Sequence, residues 1–226
     1  MGEFGRYSYF TRKCFDQYLS WNFKKNFSGI YTSGSSQLEN LSDPLLFVSN
    51  HVSWWDGFFL FELQRRIRPK ARLFTIALKE TCEKNPILTR MGVLPLEPGK
   101  VASLTALLKH LKFLRHEGRA EEFTAAFFPQ GRIRPSFASE LGFQRGIEGI
   151  VKALSPITIV PIGIHIEPMI GKKPTAVLQI EEPISCVNVK TADEYELKVR
   201  KALGYIHQTL FHSGEKLDSP FERWST

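Results

Sequence analysis

From Pro44 onward, short apolar runs alternate with helical patterns, and no other feature of this sequence constrains its fold as strongly. An apolar run of four to eight residues bounded by turn residues reads as a buried strand. Apolar positions three and four apart read as one face of a helix. On these grounds Leu45–Ser49, Leu73–Leu78, Val93–Leu96, Phe123–Phe128, Ile157–Ile164 and Val177–Ile180 are expected strands, and Gly57–Ile67 and Ile147–Leu154 expected helices. Val101, Leu104, Leu107, Leu108, Leu111 and Leu114 make a further amphipathic helix. Tyr195, Val199, Ala202, Leu203, Ile206 and Leu210 make a closing one. Such alternation specifies an α/β fold, here a central mixed sheet flanked by helices. A chain of 226 residues with 42% hydrophobic content suits one domain and excludes disorder for its bulk.

An aromatic and basic segment, residues 1–28, precedes the domain expected over 29–226. It interleaves Tyr7, Tyr9, Phe10, Phe15, Tyr18, Trp21, Phe23 and Phe27 with Arg6, Arg12, Lys13, Lys24 and Lys25. On a helix, Cys14, Phe15, Tyr18 and Leu19 share one face. Two readings stand: a membrane-association helix at the headgroup boundary, or a helix packed on the domain's own core. The polar stretch Thr32–Gln37 reads as a loop.

The formal net charge is +7, and residues 181–226 hold 6 basic against 8 acidic residues, so residues 1–180 carry +9. An anionic partner is implied: nucleic acid, a lipid surface or a phosphorylated substrate. No nucleic-acid motif accompanies the charge, which ranks that partner last. Arg65, Arg66, Arg68, Lys70 and Arg72 put five cations in eight positions, facing anionic headgroups or carrier phosphates, or capping a solvated helix end. Three separated cysteines, Cys14, Cys82 and Cys186, suit a reducing compartment, and no metal-ligand spacing is present. Neither a spanning apolar segment nor a secretory leader is recognisable. Neither export nor a membrane span is therefore expected, and lying on a membrane surface stays open.

Two segments carry chemistry. In Phe47-Val-Ser-Asn-His51-Val-Ser-Trp-Trp-Asp56-Gly57, a strand gives way to a helix, and His51 and Asp56 form a candidate base and its orienter. Five residues along a regular helix leave two side chains about 140° apart, so the pair meets only if His51 lies in the loop or at the helix entrance. Asn50 or Ser49 can cap such a helix. With 6 histidines in the chain, the pair alone is weak, and a structural histidine is the competing reading. The second segment is Ala126-Phe-Phe-Pro-Gln-Gly-Arg-Ile-Arg-Pro-Ser136, where a strand ends in a tight turn at Gly131. Arg132 and Arg134 beyond it are candidate anion ligands.

The order of motifs resembles the glycerolipid acyltransferase family over roughly residues 44–185. It runs Asn50-His51-x4-Asp56, Gly92-Val-Leu-Pro-Leu96, Phe128-Pro-Gln-Gly131, Phe143-Gln-Arg-Gly146 and Ile159-Val-Pro-Ile162. The resemblance implies an O-acyltransferase moving a fatty acyl group from acyl-CoA or acyl carrier protein to a lipid hydroxyl. The best-known acceptor is 1-acyl-glycerol-3-phosphate, and the implied location is the cytoplasmic face of a membrane, peripheral or monotopic. It further implies His51 as general base, Asp56 as orienter and no cofactor beyond the thioester cosubstrate. Gly92, Gln130, Gly131, Arg132 and Arg134 are the implied acceptor or anion ligands. Trp54, Trp55, Phe128, Pro129, Val160 and Pro161 are the implied acyl or thioester contacts, though core filling is the competing reading for at least one tryptophan. Oxyanion donors are expected at Val52–Trp54 or at the Gly131 turn.

This sequence departs from the family at three places. Gln130 stands where the family carries Glu, Gly131-Arg-Ile-Arg replaces Gly-Thr-Arg, and Pro98 falls where the acceptor-binding arginine belongs. Arg90, Lys100, Arg132 and Arg134 are the candidate replacements for that arginine. The departures keep two alternatives open: a non-phosphorylated acceptor such as a glycosylated lipid or pigment, and a non-catalytic lipid-surface protein of the same fold.

Overall fold

A computed structural model describes residues 9–117, 120–168, 171–186, 188–214, 217 and 219–225, with side chains from Phe15 onward. The expected aromatic and basic positions before Tyr9 lie outside the described residues, as do the side chains of residues 9–14, Cys14 included. In chain order the strands are β1 (Gly29–Ser33), β2 (Leu45–Ser49), β3 (Arg72–Leu78), β4 (Val93–Leu96), β5 (Phe123–Phe127), β6 (Ile157–Glu167), β7 (Thr175–Ile180), β8 (Ile184–Cys186) and β9 (Glu222–Arg223). The α-helices are α1 (Tyr9–Asn26), α2 (Asp56–Ile67), α3 (Lys79–Lys84), α4 (Pro86–Arg90), α5 (Val101–His116), α6 (Gly146–Leu154) and α7 (Ala192–Ser213).

The sheet order is β4-β3-β5-β2-β6-β7-β1-β9, with β8 paired to β6. From β4 to β6 all neighbours run parallel, whereas β7 is antiparallel to β6. Strands buried on both faces need continuous apolar sequence, and β2 and β5 are buried at every residue. One face carries α5, α6 and α7, packed through Leu107, Leu111, Ile147, Ile150, Tyr195 and Val199 onto Leu46, Val48 and Ile76. The opposite face carries α1 and α2, through Leu19, Phe23, Phe59 and Leu63 onto Leu45, Phe47 and Ile162. Gly163 of β6 lets α7 come close: a Cβ there would stand 2.8 Å from the Ala202 Cβ.

The N-terminal helix packs on the fold with one face and shows the other to solvent. Phe15, Leu19, Phe23 and Phe27, each four residues on, are buried, while Tyr18 and Trp21 are exposed. Thr32 and Ser33, expected in a loop, end β1 instead. That strand draws its stability from parallel pairing with β7 some 145 residues away, which local sequence does not reveal.

Much of the 65–72 cation cluster is spent inside the molecule. Arg65 and Arg66 both bind the buried Glu62 carboxylate, and Arg66 also reaches the Ser225 carbonyl. Arg68 is buried and donates to the Asp43 and Leu41 carbonyls, and burial pushes its pKa down. Arg68 fastens the end of α2 to the loop before β2, and Arg66 ties it to the C-terminal segment, so these arginines are not a free anion-binding patch.

Candidate active site

Parallel pairing of β2 with β5 and of β3 with β4 brings the carboxyl ends of all four strands to one edge, Val48 opposite Phe127 and Leu78 opposite Leu96. Loops leaving such an edge converge, and ligands of open α/β sheets bind there. The segment after β2 carries His51 and the turn after β5 carries Phe128–Gly131.

His51 lies in the loop, five residues ahead of α2, and its Nδ1 is 2.7 Å from Asp56 Oδ2. The Asp56 carboxylate is fully buried. It also accepts the Val52 N–H at 2.6 Å, the Ser53 N–H at 2.9 Å and the Ser53 hydroxyl at 2.6 Å. An acceptor so engaged fixes the imidazole proton on Nδ1 and leaves the Nε2 lone pair for the cavity. The Phe128 ring stacks on the imidazole, centroids 4.6 Å apart and planes 24° from parallel. Four further bonds hold the loop. Gln130 Oε1 accepts the His51 N–H at 2.5 Å, and the His51 carbonyl accepts the Arg134 N–H at 2.9 Å. Asn50 pairs its amide in both directions with the Ile164 backbone, at 2.8 Å each way.

Neither Asn50 nor Ser49 caps α2, because the helix begins later than either. Asn50 is a latch to β6, and Ser49 is buried within β2. The N-cap of α2 is Trp55, which makes no side-chain cap bond. The turn into the helix is held by Ser53, whose hydroxyl accepts the Trp55 N–H at 3.1 Å while its own N–H and hydroxyl are donated to the Asp56 carboxylate. The Ser-x-x-Asp spacing behind these bonds was present in the sequence. One carboxylate thus holds the turn into the helix and orients the imidazole. Ser53→Ala, which removes the hydroxyl's two bonds, is expected to cost about 1 kcal/mol of stability. It should also lower turnover about tenfold by loosening Asp56. Steady-state kinetics beside thermal unfolding checks both; an unchanged kcat would confine Ser53 to holding the turn.

His51 forms part of the wall of a cavity of about 710 Å³ whose surface is mostly apolar. Trp54, Phe128, Pro129, Gly131 and Arg132 line it with the histidine. So do Phe58 and Phe61 of α2, Thr75 and Leu78 of β3, Leu88 and Met91, positions that no sequence motif marked, and Leu96, the last residue of the Gly92–Leu96 motif. Glu97, Pro98, Gly99 and Lys100 complete the wall at the end of β4. Glu97 and Lys100 form an ion pair. The Lys100 hydrogen bond, with Lys79 adding its charge, holds the Glu97 carboxyl below its ordinary pKa.

The remaining expected site residues lie outside this lining. Gln130 is buried behind His51 and binds its backbone, a role that needs only the acceptor oxygen that glutamine shares with glutamate. The Arg134 guanidinium packs over Gly142, 2.9 Å from where a Cβ would stand. Gly92, at φ +96°, lets the chain pass the Leu73 carbonyl at the start of β4. Trp55 packs against Phe23 and Phe27, with ring centroids 6.0 and 5.4 Å away. Val160 and Pro161 sit in the middle of β6. The antiparallel ladders of that strand stop at Ile159 and resume at Ile162, and Pro161, with no N–H, occupies the interval. Of the expected oxyanion donors, the Val52 and Ser53 N–H groups are committed to Asp56, and the Gly131 N–H to the Phe128 carbonyl. Among the described residues no cluster of three or more His, Cys, Asp or Glu is placed to hold a metal ion, and no helix is long and apolar enough to cross a membrane.

The sequence profile of the acyltransferase family matches residues 30–165, which span β1 to β6 and the whole of the site. No curated protein matches the sequence. Among solved structures, the crystal structure of the 1-acyl-sn-glycerophosphate (LPA) acyltransferase PlsC from Thermotoga maritima shares the fold. The TM-score is 0.53 and the identity 19%, over 92% of this chain and 80% of that one. A profile match extending over more than half of the chain, on a sheet that presents His51 and Asp56 together at one edge, makes this chain a member of the acyltransferase family.

Proposed function

We propose that this acyltransferase takes a fatty acyl group from an acyl thioester, acyl-CoA or acyl carrier protein, and passes it to a lipid hydroxyl at the cytoplasmic face of a membrane. His51 is the general base. Its Nε2 accepts the acceptor hydroxyl proton as that oxygen attacks the thioester carbonyl. The tetrahedral adduct collapses with departure of the thiolate, and the imidazolium returns the proton to the sulfur. Asp56 orients the ring and stabilises its cationic form. The thioester is already activated, so the reaction needs no other cofactor and no acyl-enzyme. The apolar cavity suits the acyl chain, and Arg132, on the same wall, suits a phosphate. The observation that carries this reading is the His51–Asp56 pair at 2.7 Å, opening on an apolar cavity of about 710 Å³.

The proposed acceptor is 1-acyl-glycerol-3-phosphate. A second reading, a neutral glycosylated lipid or pigment, is favoured by one observation. Pro98 stands in the wall where the family carries its arginine, and the nearby Lys100 is paired with Glu97. One labelled acyl-CoA, and in parallel one acyl carrier protein thioester, offered to both acceptors tests this directly. Faster transfer to lysophosphatidate is expected. A faster glycolipid reaction would replace the acceptor, and no transfer from either thioester would overturn the reading.

A further inference from the structure

Residues 128–145 join β5 to α6 without a helix or strand of their own. A loop of that length inside a compact domain usually carries function. This one supplies Phe128, Pro129, Gly131, Arg132, Ile133 and Gln144 to the cavity wall beside His51. Its first part touches the histidine directly. Phe128 stacks on the ring, Gln130 accepts the His51 N–H, and the Arg134 N–H reaches the His51 carbonyl. Its last part folds back onto the first, the Gln144 N–H donating to the Pro129 carbonyl at 2.9 Å.

A carboxylate from α7 clamps this loop. Glu196 accepts the Leu141 N–H on one oxygen at 2.9 Å and the Phe143 N–H on the other at 2.8 Å. Leu141 and Phe143 are buried in the core, where an N–H without an acceptor is costly. The clamped positions flank Gly142, over which the Arg134 guanidinium packs, so the clamp bears on both parts of the loop. Its base is firm. Thr191 and Glu194 form a capping box at the start of α7, and Tyr195 and Val199, on either side of Glu196 in the chain, are fully buried. Glu196 lies beyond the residues that the family profile matches, and it is not part of the cavity wall. We infer that Glu196 is a positioning residue for acyl transfer. By clamping two N–H groups of the loop, it holds Phe128 and Gln130 against His51 and so sets where Nε2 points. The role rests on His51 as the general base proposed above.

The test compares Glu196→Ala and Glu196→Gln with Glu148→Ala in the full chain. Glu148 is likewise half-buried and accepts the Ala192 N–H at 3.1 Å, tying α6 to α7, but its carboxylate binds no residue of the loop. Steady-state kinetics are measured well below each unfolding midpoint, with labelled acyl-CoA and lysophosphatidate. Glu196→Ala should lower kcat about tenfold, with KM within threefold, since a small misplacement relayed from afar costs rate. Glu196→Gln keeps one acceptor oxygen, and a two- to fivefold loss is expected; it takes the place of the alanine variant if that one does not fold. Glu148→Ala should leave kcat within twofold. In a His51→Ala background, Glu196→Ala should change the residual rate less than twofold, because a residue acting through His51 has nothing left to position. Spectra of the nitrogen-15 histidine-labelled protein read the positioning without any reaction. The His51 imidazole signals, assigned by their loss in His51→Ala, should move in Glu196→Ala and stay in Glu148→Ala. Unmoved His51 signals overturn the inference, as does a kcat within twofold of the parent, an equal loss in Glu148→Ala, or the same tenfold loss in both backgrounds. A parent that transfers no acyl group, or that keeps its rate in His51→Ala, overturns the proposed function instead, and the spectra then decide the clamp alone.

Discussion

His51→Ala is expected to lower kcat for acyl transfer by about 10²–10⁴-fold, the range supplied by a positioned general base, with KM nearly unchanged. The fold should survive it. The His51 side chain is 24% exposed, and its departure leaves Asp56 with the Val52 and Ser53 N–H groups and the Ser53 hydroxyl as donors. Only the stacking on Phe128 is lost from packing, a cost of order 1 kcal/mol. The measurement is a pair of steady-state parameters beside a thermal unfolding curve. A drop in kcat alone assigns the residue to the transition state, whereas a rise in KM alone would assign it to binding. Turnover within tenfold of the parent would sink the proposed mechanism and favour a structural histidine.

The elements whose own residues carry an apolar pattern were legible in the sequence. The apolar spacing of α5 and α7 and the unbroken run of β2 gave these elements to within three residues, because the pattern records the faces that pack. Elements without such a pattern were not. β1 reads Gly-Ile-Tyr-Thr-Ser and depends on β7, while β8 and β9 have three and two residues. The site divides in the same way. His51, Asp56 and Ser53 fall within six residues and carry a loop-to-helix signature, whereas the cavity is assembled from β3, β4, α2 and α5, most of whose lining residues lie in no motif. Adjacent Trp54 and Trp55 look alike in sequence. They differ because the helix entrance turns one toward the cavity and the other into the core with Phe23. Charge misleads most, since the partners of Arg68 are backbone carbonyls 25 and 27 residues upstream, and nothing in a basic run announces them.

Asp56 joins catalysis to folding, and two substitutions separate its roles. Asp56→Ala removes the acceptor of two backbone N–H groups and one hydroxyl at a fully buried position. An orphaned buried donor costs about 1–3 kcal/mol. Val52 and Ser53 are partly exposed, so water relieves some of that, and a total near 2–4 kcal/mol is expected. For a domain of this size, that lowers the unfolding temperature by about 5–15 °C. Asp56→Asn keeps the shape and one acceptor oxygen, and its amide can donate to the Ser53 hydroxyl. Stability should therefore fall by no more than about 1–2 kcal/mol. The charge that stabilises the imidazolium is nevertheless gone, and kcat should fall about 10²-fold or more. Alanine is thus expected to damage both properties and asparagine mainly the rate. If the asparagine variant keeps its rate within threefold, the carboxylate serves the turn into the helix alone, and proton transfer at His51 does not depend on a negative neighbour.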